Sequence, residues 1–149
     1  LDINPFQIRY FSKNIRNIFV DTQSKKILNC VAKYLDCEFD IIIDDASHNK
    51  RDQIITLNTF LPKLKQNGIY IVEDTCEFIK HPHLNSDHLN YGINEFLMSV
   101  NETGNHVCNF LSESEKMNIK TNIGCINYEK GNFIHNNVNI PEIIFIEKI

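Results

Sequence analysis

Two short runs of β-branched residues, each stopped by a pair of acids, do most to restrict what this chain can become. Phe39-Asp40-Ile41-Ile42-Ile43 runs into Asp44-Asp45, and Ile69-Tyr70-Ile71-Val72 runs into Glu73-Asp74. A nearly continuous apolar run marks a strand buried on both faces of a parallel sheet, where a half-exposed strand would alternate. Between the two, Ile54, Leu57, Phe60, Leu61 and Leu64 recur at helical spacing over residues 50–65, and Asn67-Gly68 supplies a stop. Strand, helix and strand in that order form a parallel crossover. The same reading extends upstream, to a strand over residues 17–21 and a helix carrying Ile27, Leu28, Val31, Ala32 and Leu35. Downstream, residues 76–90 read as loop, and Ile93, Phe96, Leu97 and Val100 mark a helix whose apolar side is core. Residues 123–128 and 143–146 are expected to pair as an antiparallel hairpin across a polar, turn-rich stretch, and Tyr70 is expected inside the sheet. The fold class that follows is α/β: a Rossmann-like, mostly parallel sheet with a C-terminal antiparallel hairpin.

At 149 residues the chain has the size of one domain, so residues 1–149 are taken as a single unit. Its 42% hydrophobic and 23% charged residues suit a soluble globular protein, and no stretch nears the ~20 apolar residues of a membrane span. The net charge of -4, with 15 scattered Lys and Arg, lacks the basic excess that binds phosphate backbones. Neither nucleic acid nor a membrane is an expected partner. The cysteines, Cys30, Cys37, Cys76, Cys108 and Cys125, are odd in number and form no CxxC pair. They read as reduced cytoplasmic thiols, mostly in or near the core. Cys76, His81, His83 and His88 match no common zinc-finger spacing. Leu1-Asp2-Ile3-Asn4-Pro5 has neither a basic n-region nor an apolar h-region, and the first residue is not Met, so an excerpt of a longer protein is expected.

In an open parallel sheet, ligands bind outside the carboxyl ends of the strands, and those ends here carry Asp21, Asp44-Asp45 and Glu73-Asp74. Asp45 and Glu73 lie 28 residues apart, the length of one helical crossover, so they should emerge side by side. Carboxylates gathered so closely repel unless a cation neutralises them, and oxygen ligands suit Mg²⁺, Mn²⁺ or Ca²⁺ better than zinc. His48, three positions after Asp45, falls on the turn into the next helix beside that centre, where its imidazole can take a proton.

The stretch from Phe39 to His48 with its Asp44-Asp45-Ala46-Ser47-His48, and that from Phe60 to Asp74, resemble the class I methyltransferases that include the macrocin and mycinamicin sugar O-methyltransferases. The resemblance covers residues 1–80 well and the tail loosely. It implies S-adenosylmethionine and Mg²⁺ or Mn²⁺ as cofactors, Asp45, Glu73 and Asp74 as metal ligands, and His48 as general base. It also implies that Asp2 binds the ribose hydroxyls of the cofactor, that Asp21 faces the adenine, and that Asp44 lies near the methionine end. The family's DDGSH has Ala46 in place of Gly here, and its GG has Asn67-Gly68, both mild changes. No GxGxG-like loop precedes Leu1. The family's first strand and glycine loop are therefore expected to be missing, leaving the excerpt inactive alone.

The function these features imply is a metal-assisted O-methyltransferase acting on a hydroxyl of a sugar or glycosylated small molecule; the resemblance also admits a homo-oligomer. A non-catalytic methyltransferase-like domain serving as a binding module is the alternative. A nicotinamide-dependent dehydrogenase lacks its glycine fingerprint.

Overall fold

Strands β1 (Phe39–Asp44) and β2 (Leu64–Val72) lie side by side and parallel, with Ile41 opposite Ile69 and Asp44 opposite Val72. Helix α2 (Lys50–Phe60) makes the crossover between them, and helix α1 (Lys25–Tyr34) precedes β1. After β2 come helices α3 (Ile93–Glu102) and α4 (Glu113–Asn122) and then strands β3 (Ile123–His135) and β4 (Val138–Lys148). These elements belong to a computed structural model, which describes residues 18, 20–76, 79, 81–85, 87–102, 108–135 and 138–149. The described strands form one sheet in the order β1-β2-β4-β3, in which β4 is antiparallel to both neighbours. The C-terminal antiparallel hairpin is present, so among the described residues the sheet is mixed, with one parallel pair.

Successive residues of a strand face opposite sides of the sheet, and the two sides differ here. Tyr70, Val72, Ile144 and Ile146 are fully buried in a core shared with Leu28 of α1, Ile54 and Leu57 of α2, Phe96 and Leu97 of α3, and Ile119 of α4. On the other side Ile41 is 57% exposed and Ile43 58%. The expected burial on both faces of β1 therefore holds on one face among the described residues, because every helix described packs into the same core.

The helix after β1 ends at Phe60 and not at residue 65: a single 3-10 turn, Leu61–Lys63, follows it. Pro62 explains this, since it has no N–H to continue the α-helical ladder. Asn67-Gly68 belongs instead to β2, where the pairing jumps from Phe39 with Leu64 to Ile41 with Ile69. Asn67 takes φ 62°, a left-handed conformation that Asn tolerates. A Cβ on Gly68 would stand 2.9 Å from the Lys65 carbonyl and 3.0 Å from that of Asp40, so only glycine fits the bend.

Helix α3 buries the four residues named from the sequence, Ile93, Phe96, Leu97 and Val100. Helix α4 was not expected, because it buries only Ile119 and has no apolar period. Its signal is a capping box: Ser112 Oγ accepts from Glu115 N at 3.3 Å, and Glu115 Oε2 accepts from Ser112 N at 2.8 Å. In the hairpin the backbone pairing continues through the stretch read as turns, with Lys130 opposite Pro141 and Ile134 opposite Asn139. The register shifts between Glu129 and Lys130 and again between Lys130 and Ile134. Of the strand expected over residues 17–21, Ile18, Val20 and Asp21 are described and lie in no strand; Asn17 and Phe19 are outside the described residues. All five cysteines are free, but only Cys76 and Cys108 are buried, which corrects the expectation that most sit in or near the core. Among the described residues no helix is long and apolar enough to cross a membrane.

Candidate active site

The parallel register delivers the acids to one place. Asp44 ends β1 opposite Val72, which ends β2, and Glu73 N donates to Asp44 O at 3.0 Å, so Asp45 and Asp74 leave the sheet from adjacent strand ends. The turn from Asp45 to α2 is short: Asn49 caps the helix, its Oδ1 accepting from Arg51 N at 3.0 Å. Within it His48 takes φ 55°, and Asp74, just beyond the end of β2, takes φ 51°. Left-handed backbone costs a non-glycine residue about 1 kcal/mol, and such strain persists where the surroundings dictate it, commonly at functional sites.

Both strained residues present their side chains to the same spot. His48 Nε2 stands 3.7 Å from Asp45 Oδ1, and His48 Nδ1 stands 3.7 Å from Asp74 Oδ2. Those distances are too long for hydrogen bonds. His48 Nδ1 is buried without a hydrogen-bond partner among the described residues, which a polar atom tolerates poorly unless something else satisfies it. One donor atom from each of Asp45, His48 and Asp74 lies within 4.8 Å of the others, and no other such group occurs among the described residues. Ligands about 2.1 Å from one octahedral ion stand about 3 Å apart at right angles and about 4.2 Å apart in line, so a small contraction would fit this set to a divalent cation. The two carboxylate oxygens suit Mg²⁺ or Mn²⁺.

The set gathered differs from the ligand set that the resemblance implied. Asp45 and Asp74 converge, His48 stands between them, and the Glu73 side chain is not in the group. Asp74→Gly tests the strain. It is expected to leave the thermal midpoint of the metal-free protein unchanged or higher, a gain in stability of up to about 1 kcal/mol, while weakening Mn²⁺ binding. A lowered midpoint would mean that the Asp74 side chain stabilises the fold.

Asp44 turns inward. It is 5% exposed, and the hydroxyl of the fully buried Tyr70 lies 3.4 Å from its Oδ2. Burial pushes the Asp44 carboxyl up to about 7; the Tyr70 hydroxyl opposes the rise, and the charges of Asp45 and Asp52 add to it. Burial also pushes the Tyr70 hydroxyl well above its ordinary value, so it stays a donor. Asp44 and Asp45 line a cleft of about 600 Å³ along the edge of β1 that is unpaired among the described residues, with Ile18, Thr22, Ile43 and Ala46. That volume is within the range of small-molecule and cofactor sites. Asp21 is not among its lining residues; its Oδ1 accepts from Gln23 N at 2.9 Å in a local turn ahead of α1. Asp2 lies outside the described residues. Sequence reasoning missed the Asp44–Tyr70 contact and Gln53, whose Nε2 donates to Glu73 O at 3.1 Å. Neither has a spacing signature, although a glutamine on the first turn of a crossover helix is within reach of a neighbouring strand end.

A parallel strand pair with acids at its carboxyl ends, joined to an antiparallel hairpin, makes a mixed α/β sheet. Solved structures of MycE, a methyltransferase from the mycinamycin biosynthetic pathway, share this fold. Its complex with Mg, SAH and mycinamycin VI matches with a TM-score of 0.58 at 19% identity, over 88% of this chain and 31% of that one. A complex with Mg and SAH matches with a TM-score of 0.58 at 18% identity, over 89% of this chain and 32% of that one. A second crystal form gives 0.57 at 17% identity. The likeness establishes the fold, and the chain spans about a third of the length of those chains. No protein-family model matches the chain, and no curated protein matches it in sequence.

Proposed function

We propose that this chain carries the metal and base portion of an S-adenosylmethionine-dependent, divalent-metal-assisted O-methyltransferase acting on a hydroxyl of a sugar or glycosylated small molecule. The observation that carries the reading is the convergence of Asp45, His48 and Asp74 at two adjacent strand ends of a methyltransferase fold. In this mechanism His48 takes the proton of the acceptor hydroxyl. The oxygen attacks the sulfonium methyl in line as the sulfur–methyl bond breaks, giving a methyl ether and S-adenosylhomocysteine. A divalent ion held by Asp45 and Asp74, with Glu73 as a further ligand, would supply the Lewis acidity that eases loss of that proton. Asp44 and the cleft along β1 form the near wall of the cofactor site, and Asp21 and Asp2 complete the cofactor assignment.

Calorimetry on the full-length protein is the first test. S-adenosylmethionine and Mg²⁺ or Mn²⁺ are expected to bind, and label from methyl-labelled cofactor is expected to reach a glycosylated acceptor. EDTA should stop the transfer and added Mg²⁺ restore it. Binding of neither cofactor nor metal would point to a non-catalytic methyltransferase-like domain.

A further inference from the structure

The two acid-bearing loops are gripped by one turn of one helix. Ser47 Oγ donates to Asp52 Oδ2 at 2.8 Å and accepts from Asn49 N at 3.3 Å, which fixes the turn that carries Asp45 and His48. The next residue along the helix, Gln53, reaches the other loop through its bond to Glu73 O. Asp52 and Gln53 are each 4% exposed, and α2 is buried from Asp52 to Phe60, so both grips come from an immobile base. The Glu73 carbonyl belongs to the peptide plane that runs through Asp74 N to its Cα, and the rotation about that N–Cα bond is the Asp74 φ of 51°. A hydrogen bond to this carbonyl therefore holds the strained backbone that turns the Asp74 carboxylate toward His48.

We infer that Gln53 is a positioning residue for the metal centre, holding the Glu73–Asp74 peptide, and that Asp52 does the same for the Asp45–His48 turn through Ser47. The distance from Asp45 and His48 to Asp74 is then set by two consecutive side chains on a buried helix. This inference rests on the metal-binding part of the proposed function. It assigns to this chain's own residues the role that hydrogen-bonded partners of metal ligands commonly play, orienting them before the ion arrives.

The experiment is a Mn²⁺ titration of the full-length protein, reading free Mn²⁺ by its paramagnetic resonance signal. Gln53→Met, which keeps the volume and removes the donor, is expected to weaken Mn²⁺ binding about tenfold. Thr59→Val, which removes the bond from Thr59 Oγ1 to Ile55 O at 2.8 Å further along the same helix, is expected to leave Mn²⁺ affinity unchanged. Ser47→Ala, which frees the other loop, should weaken binding as Gln53→Met does, and carries the test alone should Gln53→Met fail to fold. Wild-type affinity in Gln53→Met or in Ser47→Ala, or an equal loss in Thr59→Val, overturns the inference and leaves the proposed function standing. Failure of the unsubstituted protein to bind Mn²⁺ overturns the proposed function itself, and this inference with it.

Discussion

His48→Ala in the full-length protein is expected to lower turnover by roughly 10²–10⁴-fold, the usual contribution of a positioned general base, while S-adenosylmethionine and Mn²⁺ still bind. The imidazole is placed for proton transfer: it is 25% exposed and flanked by Asp45 and Asp74 at 3.7 Å. Imidazole is also the side chain whose ordinary titration range lies nearest neutral pH. Its contact with both acids leaves two roles to separate, base and ligand. A base leaves Mn²⁺ affinity nearly intact when it is removed, because carboxylates hold the ion. A ligand takes metal binding and turnover down together. Asp45→Asn is the reference for the second pattern, since it removes a charged oxygen donor and should lose Mn²⁺ binding and metal-dependent turnover in parallel. If His48→Ala behaves like Asp45→Asn, His48 is a ligand and the base must be sought elsewhere. Unchanged turnover in both variants would sink the catalytic reading.

The portion of this site that was legible in the sequence is the portion that periodicity encodes. The runs 39–43 and 69–72 announce strands because β-branched residues crowd them, and the helix between makes them parallel, which brings the two acid pairs to adjacent strand ends; the 28-residue spacing matched Asp45 with Glu73, whereas the side chain that converges on Asp45 is that of Asp74. His48 follows from its three-residue offset from Asp45. What stayed hidden is held by single hydrogen bonds. Gln53 reads in sequence as an ordinary helical polar residue, and its bond to a backbone carbonyl leaves no pattern. Asp44 reads as one more acid at a strand end, yet strand alternation sends it inward to Tyr70 and sends Asp45 outward. Helix α4 escaped for a related reason: its helical signal lies in a cap and its one buried residue, Ile119, makes no stripe. The apolar run of β1 promised burial on both faces, but Ile41 and Ile43 are exposed among the described residues. A pattern records what a face is suited to meet, and the fold decides whether that partner is there.

That inward turn makes Asp44→Asn the substitution with the largest expected effect on stability, and the effect should depend on pH. The folded carboxyl, raised to about 7 from an ordinary 3.8, binds its proton more tightly than the unfolded one. The stability this contributes is complete below the unfolded value and is lost as pH rises through the folded one, so the metal-free protein should weaken between about pH 4 and 7. A shift from 3.8 to about 7 corresponds to roughly 4 kcal/mol, an upper figure because water reaching the group reduces it. Asparagine mimics the neutral acid, keeps an oxygen for the Tyr70 hydroxyl, and has no proton to lose. In EDTA, denaturant unfolding should therefore give a variant ahead of the wild type by roughly 1.5 kcal/mol at pH 5 and by up to roughly 4 kcal/mol at pH 8. An Asp44→Asn protein that is less stable by the same amount at both values would show that Asp44 is ionised and satisfied in the fold. Below about pH 7 the neutral form also serves the site: with Asp44 uncharged, Asp45 can approach Asp74 and a shared cation without a third acid repelling both.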